Sequence, residues 1–343
     1  MTVGAPVDIS ILRILLTGFV LLGLVSCGGE LKRRGTRDNP LVGRVICLDP
    51  GHGGTADIDA FRVGPGGERE EWINLRVALL LKEMLEENGA RVVMTRTEDV
   101  QVELSDRALL AVENQTDVFL SIHHNATADP EANFPIVYFH GNASENSASV
   151  ALGRAAARNV RAVMFEGEGP ASLVSDHAIF PGSGANVLRN TYGIPGVIGE
   201  ASFFSNPDEE ERLKDPEANR REAEAYLVSL NEFFAGEIPA IAEKYSQGEI
   251  PPFPVLEEGD RMDEEARSWH EFYIRGLELQ QNEDRESLEA AYDLFTRSAR
   301  AFPDSFVARD CHRHRAEILA ALGDAEGAHI ARRRADEHYV AVE

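Results

Sequence analysis

Four residues of this chain have types and surroundings that could do chemistry together. His52 lies in "DPGHGG" (Asp49 to Gly54), among glycines that follow the apolar run "RVICL". Glu70 comes next, in "GEREEW", just ahead of an amphipathic stretch. His123 is near the end of "VFLSIHH", where a histidine pair between apolar residues and Asn125 has no packing reason to exist. Glu200 closes the apolar run "PGVIGE". Two imidazoles and one carboxylate around an open fourth position are the usual ligands of a hydrolytic zinc ion. Such an ion makes a nucleophile of water near neutral pH and polarises a carbonyl. A second carboxylate, off the metal, must then accept a proton and hand it to the leaving group, and Glu200 suits that role. The short His-Glu-x-x-His helix motif is absent from these stretches, so the grouping has to come from the fold.

The elements needed to bring the four together are readable. Residues 44–48, 91–97, 118–124, "PIVYFHG" and "PGVIGEASF" each read as a buried strand. Between the first two, Val77, Leu80, Leu81, Met84 and Leu85 recur at helical spacing, and Gly89 stands where a helix stops. Ser105 is placed to cap a helix running to Asn114, and further helices are expected over 147–165 and 218–234. Strands alternating with helices predict an α/β domain with a mostly parallel sheet flanked by helices. In such sheets, ligand and catalytic groups gather at the carboxyl ends of strands.

The chain has 343 residues and a net charge of -24, with no compensating basic patch, which argues against nucleic acid as a partner. The segment "ISILRILLTGFVLLGLVSC" is apolar, carries only Arg13 as a charge, and fits a secretory leader over 1–27. Its end, Leu24-Val25-Ser26-Cys27, resembles a bacterial lipobox, which implies lipidation of Cys27 and a periplasm-facing chain anchored in a membrane. Gly28 after the cysteine, rather than an aspartate, favours the outer membrane. Residues 28–43 read as a tether, 44–236 as the α/β domain, 237–262 as a proline-rich, acidic linker, and 263–343 as a smaller all-α region without strand signals. In that last region Ala291, Phe295 and Pro303 have the spacing of tetratricopeptide positions, though at most two units are present. Cys47 and Cys311 are far apart and are expected as free thiols.

"ICLDPGHGG", "EEWINLRVALLLKEMLEENGARVVMTRTED", "LSDRALLAVENQTDVFLSIHHNA" and "VLRNTYGIPGVIGEASFFSNPDEEERL" stand in the order and spacing of the zinc-dependent N-acetylmuramoyl-L-alanine amidases. The chain resembles that family from about residue 44 to 234. The resemblance implies hydrolysis of the amide between N-acetylmuramic acid and L-alanine in peptidoglycan. It implies Zn2+ as cofactor, His52, Glu70 and His123 as its ligands, and Glu200 as the catalytic carboxylate. It also prefers Glu70 over the adjacent Glu71, because Asn74 and Leu75 then fall in the family register; Glu71 is expected as a solvated first-turn carboxylate.

The chain departs from the family's pattern in a longer loop after Gly54, in Ala201-Ser202 after Glu200, and in His124 after His123. His124, Asn125, His177 and Arg189 are candidates for substrate contact, and Asn125 and Ser202 for hydrogen bonds that support the site. The competing expectation is a non-catalytic peptidoglycan-binding lipoprotein, a scaffold built on a degenerate amidase domain with helical repeats. Retention of all four key residues speaks against it, since a pure binder has no use for Glu200. The C-terminal helices could receive a protein partner.

Overall fold

The computed structural model describes residues 39–56, 62–246, 248–257, 259–282 and 284–343. The leader, Cys27 and the start of the tether lie outside the described residues. No helix among those described is long and apolar enough to cross a membrane.

Seven strands form one mixed sheet flanked by helices. In chain order the elements are β1 (Val45–Pro50), α1 (Glu70–Glu87), β2 (Arg91–Met94), α2 (Leu104–Glu113), β3 (Val118–Asn125), β4 (Ile136–Phe139), α3 (Ser147–Met164), β5 (Ser172–Ser175), α4 (Asn186–Asn190), β6 (Gly196–Phe203), α5 (Pro207–Leu213) and α6 (Pro216–Ala235). Five further helices follow: α7 (Glu264–Arg267), α8 (Trp269–Gln280), α9 (Arg285–Ala301), α10 (Ala308–Leu322) and α11 (Ala325–Glu337). A two-residue strand, β7 (Tyr339–Val340), comes after them.

The strand order is β2-β1-β3-β6-β4-β5-β7. β2, β1, β3 and β6 are mutually parallel. β4 runs antiparallel to β6, and β5 parallel to β4. The direction of the sheet therefore reverses between β6 and β4, which the apolar runs alone do not disclose. β5 was not among the expected strands. The C-terminal region is helical as expected, and the two-residue β7 at its end adds a pairing the sequence did not announce, antiparallel to β5 with Leu173 opposite Val340. The cap of α2 also differs from expectation. Glu103 is the N-cap residue, without a side-chain cap, and Ser105 lies inside the first turn.

Alternation along the strands sorts side chains to two cores. One face carries Ile46, Leu48, Leu120, Ile122, Val137 and Val197 toward the buried stripes of α1, α3 and α6. In α1 that stripe is Ile73, Val77, Leu81, Met84 and Leu85, and Gly89 follows with φ +83°, the left-handed turn that ends the helix. The other face carries Cys47, Phe119, Tyr138, Val174 and Ile198, and its core continues into Trp269, Phe295, Phe302 and Cys311 of the C-terminal helices. Polar ties reinforce this packing. Trp269 Nε1 donates to Asp129 at 3.0 Å, Tyr339 Oη donates to the Pro303 carbonyl at 2.8 Å, and Tyr138 bonds Asp304. Cys47 and Cys311 are both buried free thiols, as expected.

Candidate metal centre

The ends of β1 and β3 and the start of α1 bring His52, Glu70 and His123 together. Glu70 Oε1 lies 3.1 Å from His52 Nε2 and 2.9 Å from His123 Nδ1. The two imidazoles meet edge to face, with centroids 4.6 Å apart. A tetrahedral ion with bonds of about 2.0–2.2 Å separates its ligands by about 3.3 Å, so these distances fit a shared cation of zinc size. The donor set, two imidazoles and a carboxylate, fits the same ion.

The backbone explains the glycines around His52. His52 itself has φ +58°, Gly53 +118° and Gly54 +68°, three consecutive residues in the region that favours glycine. Gly51 answers a different need. A Cβ there would stand 2.2 Å from the His123 ring, so only hydrogen lets that imidazole pass over the loop.

Two buried arginines hold this turn. Arg107 Nη1 donates to Asp49 Oδ1 at 2.8 Å and to the Pro50 carbonyl at 2.9 Å, and its Nη2 donates to the His52 carbonyl at 2.6 Å. Arg96 donates to the carbonyls of Pro50 and Gly51 at 2.8 and 2.9 Å. Asp49 completes the clamp by accepting from Thr95 at 2.6 Å and Ser121 at 2.7 Å. Burial alone would push its carboxyl up. The Arg107 charge and the bonds from Ser121, Thr95 and Arg107 outweigh that and hold it below the ordinary value. None of Asp49, Arg96 or Arg107 stood out in the sequence. The one available signal was a polar residue at or just past each strand end, or in the first turn of the next helix.

The protonation states suit ligation. Burial would raise the Glu70 carboxyl, but the charge of His52 and the bonds from His123 and His52 hold it well below its ordinary range. Burial lowers His123, keeping its imidazole neutral. Asn74, one turn into α1, donates to Glu70 Oε1 at 3.2 Å, the oxygen that the two imidazoles also face.

Glu200 lies beside His123 across the β3–β6 pair and opposite Ile136 across β6–β4, with its side chain on the same sheet face as His123. A cleft of about 270 Å³ borders these strand ends, lined in part by Val63, Thr127, Phe204, Met262 and Arg267. Ala126, next after β3, and Phe204, next after β6, are among its walls. Arg62, from the extended loop after Gly54, reaches Glu70 Oε2 at 3.3 Å.

The other expected residues are not gathered here, with one exception. Asn125 ends β3 next to the site, and its Oδ1 accepts from the Ala126 amide at 2.8 Å. His124 faces the opposite core, as the neighbour of an inward residue in a strand must. It is buried, with Nδ1 2.9 Å from Asn74 Oδ1 and Nε2 3.0 Å from Glu222, so it is not placed to touch substrate. His177 follows β5, whose carboxyl end points the other way, and it is grouped with His140 and Asp176. Arg189 bonds the carbonyls of Ser183 and Gly184 near that same far end. Glu71 is not solvated: it is fully buried and pairs with Arg69 at 2.6 Å. Ser202 Oγ is buried without a hydrogen-bond partner among the described residues, so it gives the site no bond.

Residues 46–232 match the family described as N-acetylmuramoyl-L-alanine amidase, which takes in β1 through most of α6 and every residue of the cluster. Among relatives, the chain is 31% identical over 202 residues to "Probable cell wall amidase LytH" of Staphylococcus epidermidis. It is 33% identical over 198 residues to the protein of the same name from Staphylococcus aureus. Each match covers 57% of this chain and only 60% of the relative. Among solved structures, amidase AmiC2 of Nostoc punctiforme aligns at 24% identity and TM-score 0.48, covering 58% of this chain and 98% of that one. The catalytic domain of CwlV from Bacillus (Paenibacillus) polymyxa var. colistinus aligns at 26% and TM-score 0.47, covering 55% and 97%. With more than half its length matched, and that half carrying the strand ends and the helix start that converge on Glu70, the chain belongs to the N-acetylmuramoyl-L-alanine amidase family.

Proposed function

We propose that this chain is a zinc-dependent amidase that cleaves the bond between the lactyl group of N-acetylmuramic acid and L-alanine in peptidoglycan, for cell-wall remodelling or cell separation. The observation that carries the reading is the convergence of His52 and His123 on one oxygen of a buried, ionised Glu70, with Glu200 alongside His123 on the same face.

His52, Glu70 and His123 would hold Zn2+. That ion supplies Lewis-acid activation of water and of the scissile carbonyl when bound. Glu200 takes the proton of the attacking water and later delivers it to the departing L-alanine nitrogen. Asn74 keeps Glu70 turned toward the two imidazoles, and the Asp49–Arg107–Arg96 clamp keeps His52 in its left-handed turn. The cleft just past β3 and β6, walled by Ala126, Thr127 and Phe204, receives the glycan and stem peptide.

In this reading residues 44–236 form the catalytic region and 263–343 a tetratricopeptide-like helical region that offers a surface to a protein partner, with 237–262 between them. Cys27, at the end of a lipobox-like tetrapeptide, carries the lipid. The mature protein then sits in the bacterial envelope facing the periplasm, anchored at the outer membrane, where its substrate is.

The test is mass spectrometry of purified muropeptides after incubation with the protein and zinc. Wild type should release free stem peptides, and Glu200→Gln should stay folded and zinc-loaded while turnover falls by about 100- to 10,000-fold. Wild type that holds zinc and binds peptidoglycan without cutting it would establish the non-catalytic scaffold instead. A fully active Glu200→Gln would refute the role of Glu200.

A further inference from the structure

A second set of buried donors lies at the other end of the sheet. Because β4 is antiparallel to β6, the carboxyl ends of β4 and β5 point away from those of β1, β3 and β6. His140 follows β4 directly, and Asp176 and His177 follow β5 in a 3-10 turn. One donor atom from each lies within 4.8 Å of the other two.

A plain structural Asp–His pair accounts for part of this group. Asp176 Oδ2 is 2.8 Å from His140 Nδ1 and accepts from the Ala185 amide, also at 2.8 Å. It leaves the rest unexplained. Asp176 Oδ1 and His177 Nε2 are both buried, 3.9 Å apart, and neither has a hydrogen-bond partner among the described residues. Asp176 as a whole is 0% exposed. Folded proteins rarely leave such atoms unsatisfied unless something else occupies the space between them. His338 Nδ1 is likewise buried and unbonded, and its ring stands 5.8 Å from that of His177. The His338 carbonyl accepts from the Ser175 amide at 2.7 Å, so its backbone is pinned beside the group.

The cover over these donors is a glycine. At Gly184, φ +67°, an added Cβ would stand 2.6 and 2.7 Å from the two Asp176 oxygens and 2.7 Å from His140 Nδ1. The loop thus comes down on the cluster with backbone alone. Two imidazoles and a carboxylate favour a borderline ion such as zinc, whereas calcium and magnesium want oxygen donors throughout.

We propose that His140, Asp176 and His177 form a second Zn2+ site, structural in role, and that His338, whose buried Nδ1 is unbonded, is its fourth ligand, so that the ion ties the ends of β4 and β5 to the segment that carries β7. Zinc ligands lie about 3.3 Å apart, so closure onto the ion takes side-chain shifts of about 1 Å. A closed protein donor set is the mark of a structural site, and a fourth ligand from the segment after α11 would make it one.

The experiment is zinc stoichiometry on the purified full chain, dialysed against buffer after loading. Two ions per chain are expected in wild type. His177→Gln is the first variant, because its Nε2 has no hydrogen-bond partner among the described residues and the side chain is 11% exposed, so the fold should tolerate it. It should lose one ion, as should Asp176→Asn. His52→Ala should also leave one ion, and His52→Ala combined with His177→Gln should leave none. Loading His52→Ala with Co2+ gives an independent signal: visible absorption of tetrahedral cobalt is expected, and it should vanish when His177→Gln is added. A drop of one ion on His177→Gln supports the site even where His52→Ala leaves the zinc count unchanged, so the site and the amidase reading can fail separately. Unchanged stoichiometry in both His177→Gln and Asp176→Asn, or no cobalt spectrum in His52→Ala, overturns it.

Discussion

Replacing Arg107 by leucine separates holding the fold from holding the metal. Its guanidinium is 4% exposed and its partner Asp49 2%, so the substitution strands a carboxylate where water cannot reach it. Breaking a buried pair by removing one partner costs about 3–5 kcal/mol. The pH dependence should change with it. In wild type the Asp49 carboxyl is held below its ordinary value of 3.8. Its contribution is therefore present above that value and is lost as pH falls through the lowered one. Without Arg107 burial dominates and lifts the Asp49 carboxyl above its unfolded value, so the folded variant takes up the proton first and its deficit against wild type should be greatest at neutral pH and shrink as pH falls. The variant also releases the Pro50 and His52 carbonyls, and loss of an outer support of this kind typically weakens metal binding about 10- to 100-fold. Denaturant unfolding of the metal-free protein from pH 3 to 8 reads the first effect, and competition with a zinc chelator reads the second. Adding Asp49→Asn should return part of the stability but none of the zinc affinity. If Arg107→Leu loses stability while binding zinc as tightly as wild type, the clamp does not position His52 and the reasoning fails.

Two further substitutions probe the same neighbourhood. Gly51→Ala should expel the His123 ring from its place and abolish stoichiometric zinc at the first site, read by metal analysis; full occupancy would mean that the loop yields. His124→Ala should leave Asn74 and Glu222 unsatisfied and cost about 1–3 kcal/mol, with KM for muropeptides unchanged. Burial pushes His124 down, but the charge and hydrogen bond of Glu222 outweigh it and leave it above 6.5. Its stabilisation should then be full below that pH and lost as pH rises through the raised value, so the gap between wild type and variant should narrow in alkali.

His52, His123 and Glu200 drew notice as candidates because each ends or follows an apolar run, and Glu70 because it opens a helix; strand ends are where an α/β sheet collects polar groups. The same alternation could have settled His124, since adjacent strand residues face opposite ways and His123 had already taken one face. His177 was harder to place. Its strand is "SLVS", four residues bracketed by serines, with no apolar run to announce it or its direction. Without the reversal at β4, nothing told which end of the sheet His177 occupies. The arginine clamp was hidden for a related reason. Arg96 and Arg107 look like surface charges in the sequence, and only the path of β1 turns them inward onto carbonyl groups.

The short strand β7 bears on how the chain reaches this state. β5 emerges early, and its outer edge waits for residues 339 and 340, made only after α6 and all the C-terminal helices. Until then that edge presents unpaired amides and carbonyls, the template on which strands of other chains add. A nascent chain is thus open to association at β5, and a cut or stall that withholds β7 would make that exposure permanent.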